Sequence, residues 1–210
     1  MAYLDSNPII GDPSMMNCIY FKQTPETMMD PDEYGHFIYN IESTFRKLRF
    51  YKDYKCAIMQ AGINYDQQMK GITSDMASIE MHHHLPTLKD AVTVISEYYL
   101  RTVGQVNTCM VLRDLVQAHR SNIMGVIMLS VTNHQVYHND PSVFISIDQL
   151  YGNPFKFLEM YGPYFTLDIA YKWLLQFKQE EQYNRTTQWA NIAKARDQLL
   201  DWSKSGTITY

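Results

Sequence analysis

Five of the seven histidines lie in two short clusters, and these clusters are the strongest chemical signal in the sequence. The first cluster reads E-M-H-H-H over residues 80–84, and the second is an H-x-x-x-H pair, His134 and His138. Residues four apart on a helix project from one face, with Cβ atoms about 5–6 Å apart, so two imidazoles can share one divalent cation. Either cluster taken alone could also consist of ordinary surface histidines.

Hydrophobic patterning predicts the elements that would position these histidines. A short strand from Met76 to Met81 is expected to lead into the first cluster, and Gly125–Leu129 is a compact β-rich run. Residues 132–138 are expected to form a short helix with Ser130 or Thr132 as its N-cap. On a strand Glu80 and His82 would face one way and His83 the other, unless the strand frays at His83 and lets it swing into an adjacent cleft.

The rest of the chain is predicted to be mostly helical. Its helices are expected at Tyr51–Ala61, Thr87–Leu100, Thr108–His119, Ile169–Phe177 and Trp189–Trp202, with another from Asp32 and short strands at Cys18–Phe21 and Val143–Ile147. We expect one compact unit made of an irregular arm (1–31), a helical segment (32–75), the histidine-bearing core (76–140) and a helical C-terminal segment (141–210).

The order of strand, His-His, second strand and short H-x-x-x-H helix resembles the ββα-metal finger of HNH, or His-Me finger, nucleases. The nuclease colicins share E-x-H-H and H-x-x-x-H, and a group of phage HNH-type proteins shows E-M-H-H, T-L and L-S-x-x-x-H-x-x-x-H-N. The resemblance covers residues 78–140. It implies an α+β fold, mostly helical, in which a ββα-metal finger core is embedded among flanking α-helices.

The resemblance also implies a role for each residue of the site. Three histidines would be the protein ligands of one divalent ion, Zn, Mg, Mn or Ni: His82, His134 and His138. His83 would be the general base that activates water, and Glu80 would orient a ligand imidazole. An alternative register makes His83 the ligand and His84 the base.

One position departs from the nuclease pattern. The Asn of the motif should lie nine residues before His134, where this sequence has Gly125; Asn122 or Asn133 could replace it. The main hypothesis is therefore an HNH-like endonuclease that hydrolyses nucleic-acid phosphodiester bonds with a metal. The alternative is a catalytically impaired HNH-like fold that serves as a metal-stabilised phage structural or partner-binding protein.

A basic and aromatic stretch could contact nucleic acid, with DNA the expected partner. Its cations are Arg46, Lys47, Arg49, Lys52 and Lys55. Cations neutralise phosphates and aromatic rings stack on bases, although a solvated helix face would carry the same residues. The formal net charge is −4 and the isoelectric point about 5.9, so any such affinity would have to come from this local patch.

Composition indicates an ordinary globular protein in a reducing compartment. The sequence is 46% hydrophobic and 19% charged, and its three cysteines lack C-x-x-C spacing. It has no apolar run of about 20 residues and no secretory signal, so neither a membrane span nor export is expected. We expect a cytoplasmic location in the host cell, and the C-terminal helices could bind a protein partner.

Overall fold

The computed structural model describes residues 22–23, 31–46 and 79–208, and it is mostly helical with two small antiparallel sheets. The elements are β1 (Lys22–Gln23), α1 (Pro31–Arg46), β2 (Ile79–Leu85), α2 (Leu88–Val103), β3 (Val106–Asn107), α3 (Thr108–Arg120), β4 (Gly125–Ser130), α4 (Val131–Asn139), α5 (Pro154–Tyr161), α6 (Leu167–Tyr183) and α7 (Trp189–Lys204). The predicted α+β, mostly helical class is confirmed. None of the helices in these ranges is long and apolar enough to cross a membrane.

The histidine clusters lie on a strand pair and the helix that follows it, here called the ββα unit (β2, β4 and α4). Strands β2 and β4 are antiparallel, with His82 opposite Ile127 and His83 opposite Val126. Strand β2 is described from Ile79 and continues through the histidines to Leu85, beyond the predicted end at Met81, while residues 76–78 of the predicted strand lie outside the described residues. The alternative in which the strand frays at His83 does not occur, because His83 is paired with Val126 and the register shifts only beyond it, between His83 and Leu85.

The two faces of this strand pair contact different parts of the protein. Val126 and Met128 belong to the main core, which the helices around the sheet complete. Ile127 and Leu129 form a smaller buried cluster with Ile145, and Tyr137 of α4 packs against it. Strand β4 is buried over its whole length because both faces are covered, which explains its uninterrupted G-V-I-M-L-S composition.

Side-chain caps begin the helices that hold the site. Ser130 is the N-cap of α4, where its side chain accepts from the Asn133 amide, so the first of the two predicted caps is confirmed. Thr87 caps α2 in the same way, through the Asp90 amide. Capping places a helix immediately after β4 and turns His134 and His138 back towards β2.

The segment after α4 differs from the prediction. Residues 143–147 were expected to form a last strand, but a 3₁₀ helix at Ile147–Gln149 follows an irregular run. The reason is tertiary: the buried Glu180 carboxylate accepts from the Ile147 amide and from the Ser146 hydroxyl. The predictions for Cys18–Phe21 and Tyr51–Ala61 lie outside the described residues.

Candidate metal centre

The ring nitrogens of His82, His134 and His138 converge, as the prediction of a shared ligand set requires. One nitrogen from each ring lies within 4.8 Å of the other two. His82 Nδ1 lies 2.9 Å and His138 Nε2 lies 3.0 Å from the same atom, His134 Nε2. In the part of the chain that the structure describes, this is the one group of three metal-ligating side chains.

Glu80 selects the protonation state that a ligand histidine needs. Its Oε2 lies 2.6 Å from His134 Nδ1 and accepts that ring proton. In the neutral imidazole the other nitrogen then carries a free lone pair, and this nitrogen, Nε2, is the one that faces the cluster. The carboxylate therefore fixes both the ring orientation and the tautomer of His134.

His82 is held neutral by its surroundings. The pKa of His82 is lowered from 6.5 to about 3, mainly by burial and to a smaller extent by the neighbouring His84, His134 and His138. An imidazole must be neutral to bind a metal, because protonation removes the lone pair. At neutral pH the imidazole of His82 therefore has a ring-nitrogen lone pair that can bind a cation.

The distances suit a small cation with nitrogen ligands. Zn–N bonds of about 2.0–2.1 Å in a tetrahedral arrangement place ligand nitrogens about 3.3 Å apart. The two short pairs, at 2.9 and 3.0 Å, would move slightly outward to reach that value, and the third pair, which lies within 4.8 Å, would close. His138 is exposed, and His134 and Glu80 keep 23% and 47% of their side-chain area accessible, so an ion can reach the cluster.

His84 lies on the same face of β2 as His82 but has other partners. Its Nε2 lies 3.0 Å from Gln176 Oε1 and its Nδ1 lies 3.1 Å from the Tyr137 hydroxyl. Burial lowers its pKa to about 4. Since both ring nitrogens are engaged, His84 is neither a ligand nor a free base in this arrangement, and the alternative register is not supported.

His83 points away from the three ligand nitrogens, into the main core. Its Nε2 lies 2.8 Å from Nε2 of His119, whose Nδ1 donates to the Leu115 carbonyl at 2.7 Å. Both histidines are buried. The alternation of side chains along an unfrayed strand separates His83 from His82, so the structure does not bring the predicted general base to the cluster.

Close contact between the two strands explains why residue 125 is a glycine. A Cβ at this position would lie 2.4 Å from the Leu85 carbonyl oxygen, so the two strands approach too closely there for any side chain. The Asn expected from the nuclease pattern does not fit at Gly125.

Of the predicted nucleic-acid contacts, residues 47–55 lie outside the described residues, and Arg46 is described only as the last residue of α1. The hypothesis that this basic stretch contacts nucleic acid therefore stays a prediction.

Sequence reasoning missed three residues that hydrogen bonds connect to His84, beside the cluster: Tyr137, Gln176 and Glu180. Tyr137 lies between two histidines that the motif highlights, and its place inside H-x-x-x-H was the available signal. Gln176 reaches His84 from 92 positions along the chain, and Glu180 lies one helical turn beyond it. No local spacing could have linked this helix to the histidines.

Comparison with known proteins corrects the nuclease hypothesis. The family described as Bacteriophage G278-like virion protein matches residues 15–202, which is most of the chain. No curated protein and no solved structure matches. The predicted HNH family and its endonuclease function are wrong, and the nuclease, hydrolase and DNA-binding properties that followed from them have no support from this match. The predicted phage connection is supported. The chain belongs to the Bacteriophage G278-like virion protein family.

Proposed function

We propose that this protein is a structural component of the phage particle whose ββα unit is held together by one divalent metal ion. The observation that carries the proposal is the convergence of three imidazole nitrogens within 4.8 Å of one another. They come from two elements, since His82 is on β2 and His134 and His138 are on α4. A metal bound by all three would cross-link the strand to the helix.

A cross-link would help to hold α4, because the helix buries little of its own surface, although Tyr137 packs against the cluster of Ile127, Leu129 and Ile145. Of its nine residues, only Asn133 is buried. A helix of this length is marginal without tertiary contacts. Metal–ligand bonds add folding free energy directly, because the unfolded chain does not hold a preformed site. The virion family match supports a structural role for such a site.

The donor set favours zinc or nickel among the four metals predicted. Neutral imidazoles suit these ions, whereas Mg²⁺ prefers an octahedral set of oxygens. Within the described ranges Glu80 is the carboxylate that hydrogen-bonds a predicted ligand, and its Oε2 accepts from His134 Nδ1, the ring nitrogen that does not face the cluster. We therefore propose Zn²⁺ or Ni²⁺ as the resident ion.

The test combines metal analysis with stability measurements. Purified protein is expected to hold about one zinc or nickel per chain by elemental mass spectrometry. At a free metal concentration of 100 Kd, binding stabilises the fold by about 2.7 kcal/mol. For a chain of this size that raises the unfolding midpoint by about 5–11 °C relative to EDTA.

Two variants make the result specific to the cluster. His134→Ala should lose both the metal and the midpoint shift. His36→Ala, at an exposed position on α1, should keep both. Equal responses of wild type and His134→Ala to metal would refute the site. Separately, immunogold labelling of purified particles should find the protein in the virion, and its absence there would refute the structural role.

A further inference from the structure

Helix α6 carries two buried polar side chains, Gln176 and Glu180, and Gln176 contacts His84 of the ββα unit. Gln176 is 6% and Glu180 is 0% exposed, and they lie one turn apart on the helix. Burial of an amide and a carboxylate is costly unless each is hydrogen-bonded. Their partners connect α6 with the candidate metal site.

The hydrogen bonds of Gln176 fix the orientation of its amide. Nε2 donates to the Ile145 carbonyl at 2.9 Å and to Glu180 Oε1 at 3.1 Å, so the other amide atom must be the oxygen. That oxygen accepts from His84 Nε2 at 3.0 Å. His84 Nδ1 is then the acceptor of a neutral ring, and the Tyr137 hydroxyl donates to it at 3.1 Å.

Glu180 anchors the far end of this chain of hydrogen bonds. Besides the Gln176 amide, it accepts from the Ser146 hydroxyl at 3.0 Å and from the Ile147 amide. The carboxylate thus has three donors and holds the segment before the 3₁₀ helix against α6. In each hydrogen bond from Tyr137 through His84 and Gln176 to Glu180, only one group can be the donor. This series of hydrogen bonds therefore has one defined arrangement.

Tyr137 connects this series of hydrogen bonds to the three predicted metal ligands. It lies on α4 between His134 and His138, and its ring centroid is 4.8 Å from that of His82. Tyr137 therefore packs between β2 and the helix that carries His134 and His138, so a shift of its ring would move that helix relative to His82. Residues that orient ligands in this way commonly change metal affinity by about 10–100-fold when they are replaced.

We infer that Gln176 is a positioning residue for the three-histidine site, acting through His84 and Tyr137, and that metal binding and the docking of α6 are coupled. The inference rests on the proposed metal site. Coupling is reciprocal, so a metal held better when α6 is docked must also hold α6 more firmly.

The experiment measures Zn²⁺ affinity and amide hydrogen exchange on the full chain. Gln176→Leu and Tyr137→Phe are each expected to weaken Zn²⁺ binding by about ten-fold or more in competition with a chromophoric chelator. Tyr137→Phe removes only the hydroxyl, so it keeps the test valid if Gln176→Leu fails to fold. Gln182→Leu, at an exposed position on the same helix, should bind as wild type does.

Hydrogen exchange separates positioning from a general loss of stability. Zn²⁺ should slow exchange over residues 167–183 in wild type and in Gln182→Leu, with little effect there in Tyr137→Phe. If wild type binds no Zn²⁺, the proposed metal site fails and this inference falls with it. If wild type binds Zn²⁺ and Tyr137→Phe matches it in both affinity and exchange, the inference alone is overturned.

Discussion

Replacement of Gly125 by alanine should destabilise the protein, because β4 meets the backbone of β2 there. The added Cβ would lie 2.4 Å from the Leu85 carbonyl oxygen, about 1 Å inside an ordinary contact, which begins at 3.4 Å. It would also lie 3.0 Å from Leu150 Cδ1. The nearest atom is backbone in a paired strand, so relief requires the strands to separate. Overpacking of this kind costs about 1–3 kcal/mol.

A matched control is the same substitution where there is room. Gly35 lies on the exposed face of α1, and no atom lies within 4 Å of a Cβ built there. Gly35→Ala should stabilise the helix by about 0.5–1 kcal/mol. The two variants should therefore differ by about 1.5–4 kcal/mol in opposite directions from wild type.

The assay is urea unfolding followed by circular dichroism, with EDTA present so that metal occupancy does not contribute. Gly125→Ala should unfold at lower urea and Gly35→Ala at higher urea, with similar slopes. Gly125→Asn carries the same Cβ and should also lose stability, although the nuclease pattern places Asn there. A Gly125→Ala protein within about 0.5 kcal/mol of wild type would refute the argument from strand contact.

Two further predictions concern acid stability and the particle. Burial lowers the pKa of His119 to about 4, against 6.5 for the free side chain. Between these values the unfolded chain binds a proton that the folded chain does not, so stability falls as pH drops from about 6.5 to 4, by up to about 1.4 kcal/mol per pH unit. In urea unfolding with EDTA, His119→Gln should show a shallower pH slope, and an unchanged slope would contradict this. Tyr171 and Leu175 are 64% and 42% exposed on one face of α6, so Tyr171→Ser should reduce incorporation into particles without changing the unfolding midpoint. The control Tyr39→Ser, at a 66% exposed position, should leave incorporation unchanged. Equal incorporation of the two variants would exclude this face as a partner contact.

Local patterns were sufficient to predict the elements of the ββα unit. The apolar run at β4, the Ser130 cap and the four-residue spacing of His134 and His138 are all determined by neighbours in sequence. Strand geometry also predicted that Glu80 and His82 share a face, and the structure places both at the cluster. The metal ligand set could therefore be proposed without coordinates, and it stays a prediction until metal is measured.

The histidine motif was not sufficient to predict function. Strand, His-His and H-x-x-x-H define an arrangement of imidazoles, and the same arrangement can cross-link a structural protein or support hydrolysis. The base role predicted for His83 depends on where its side chain lies. Because β2 continues as a strand, His83 faces the core and His119 instead of the cluster, and no pattern within residues 80–84 specified that continuation.

Tertiary structure alone decided the contacts that join distant segments. Gln176 and His84 are 92 positions apart, and Glu180 accepts from the Ser146 hydroxyl and the Ile147 amide, 34 and 33 positions away. Residues 143–146 of the predicted strand are an irregular run before the 3₁₀ helix at Ile147–Gln149, because a buried carboxylate holds residues 146 and 147 in place of a partner strand. Periodicity reports which face of an element is apolar, but it does not identify which distant polar group will be buried against it.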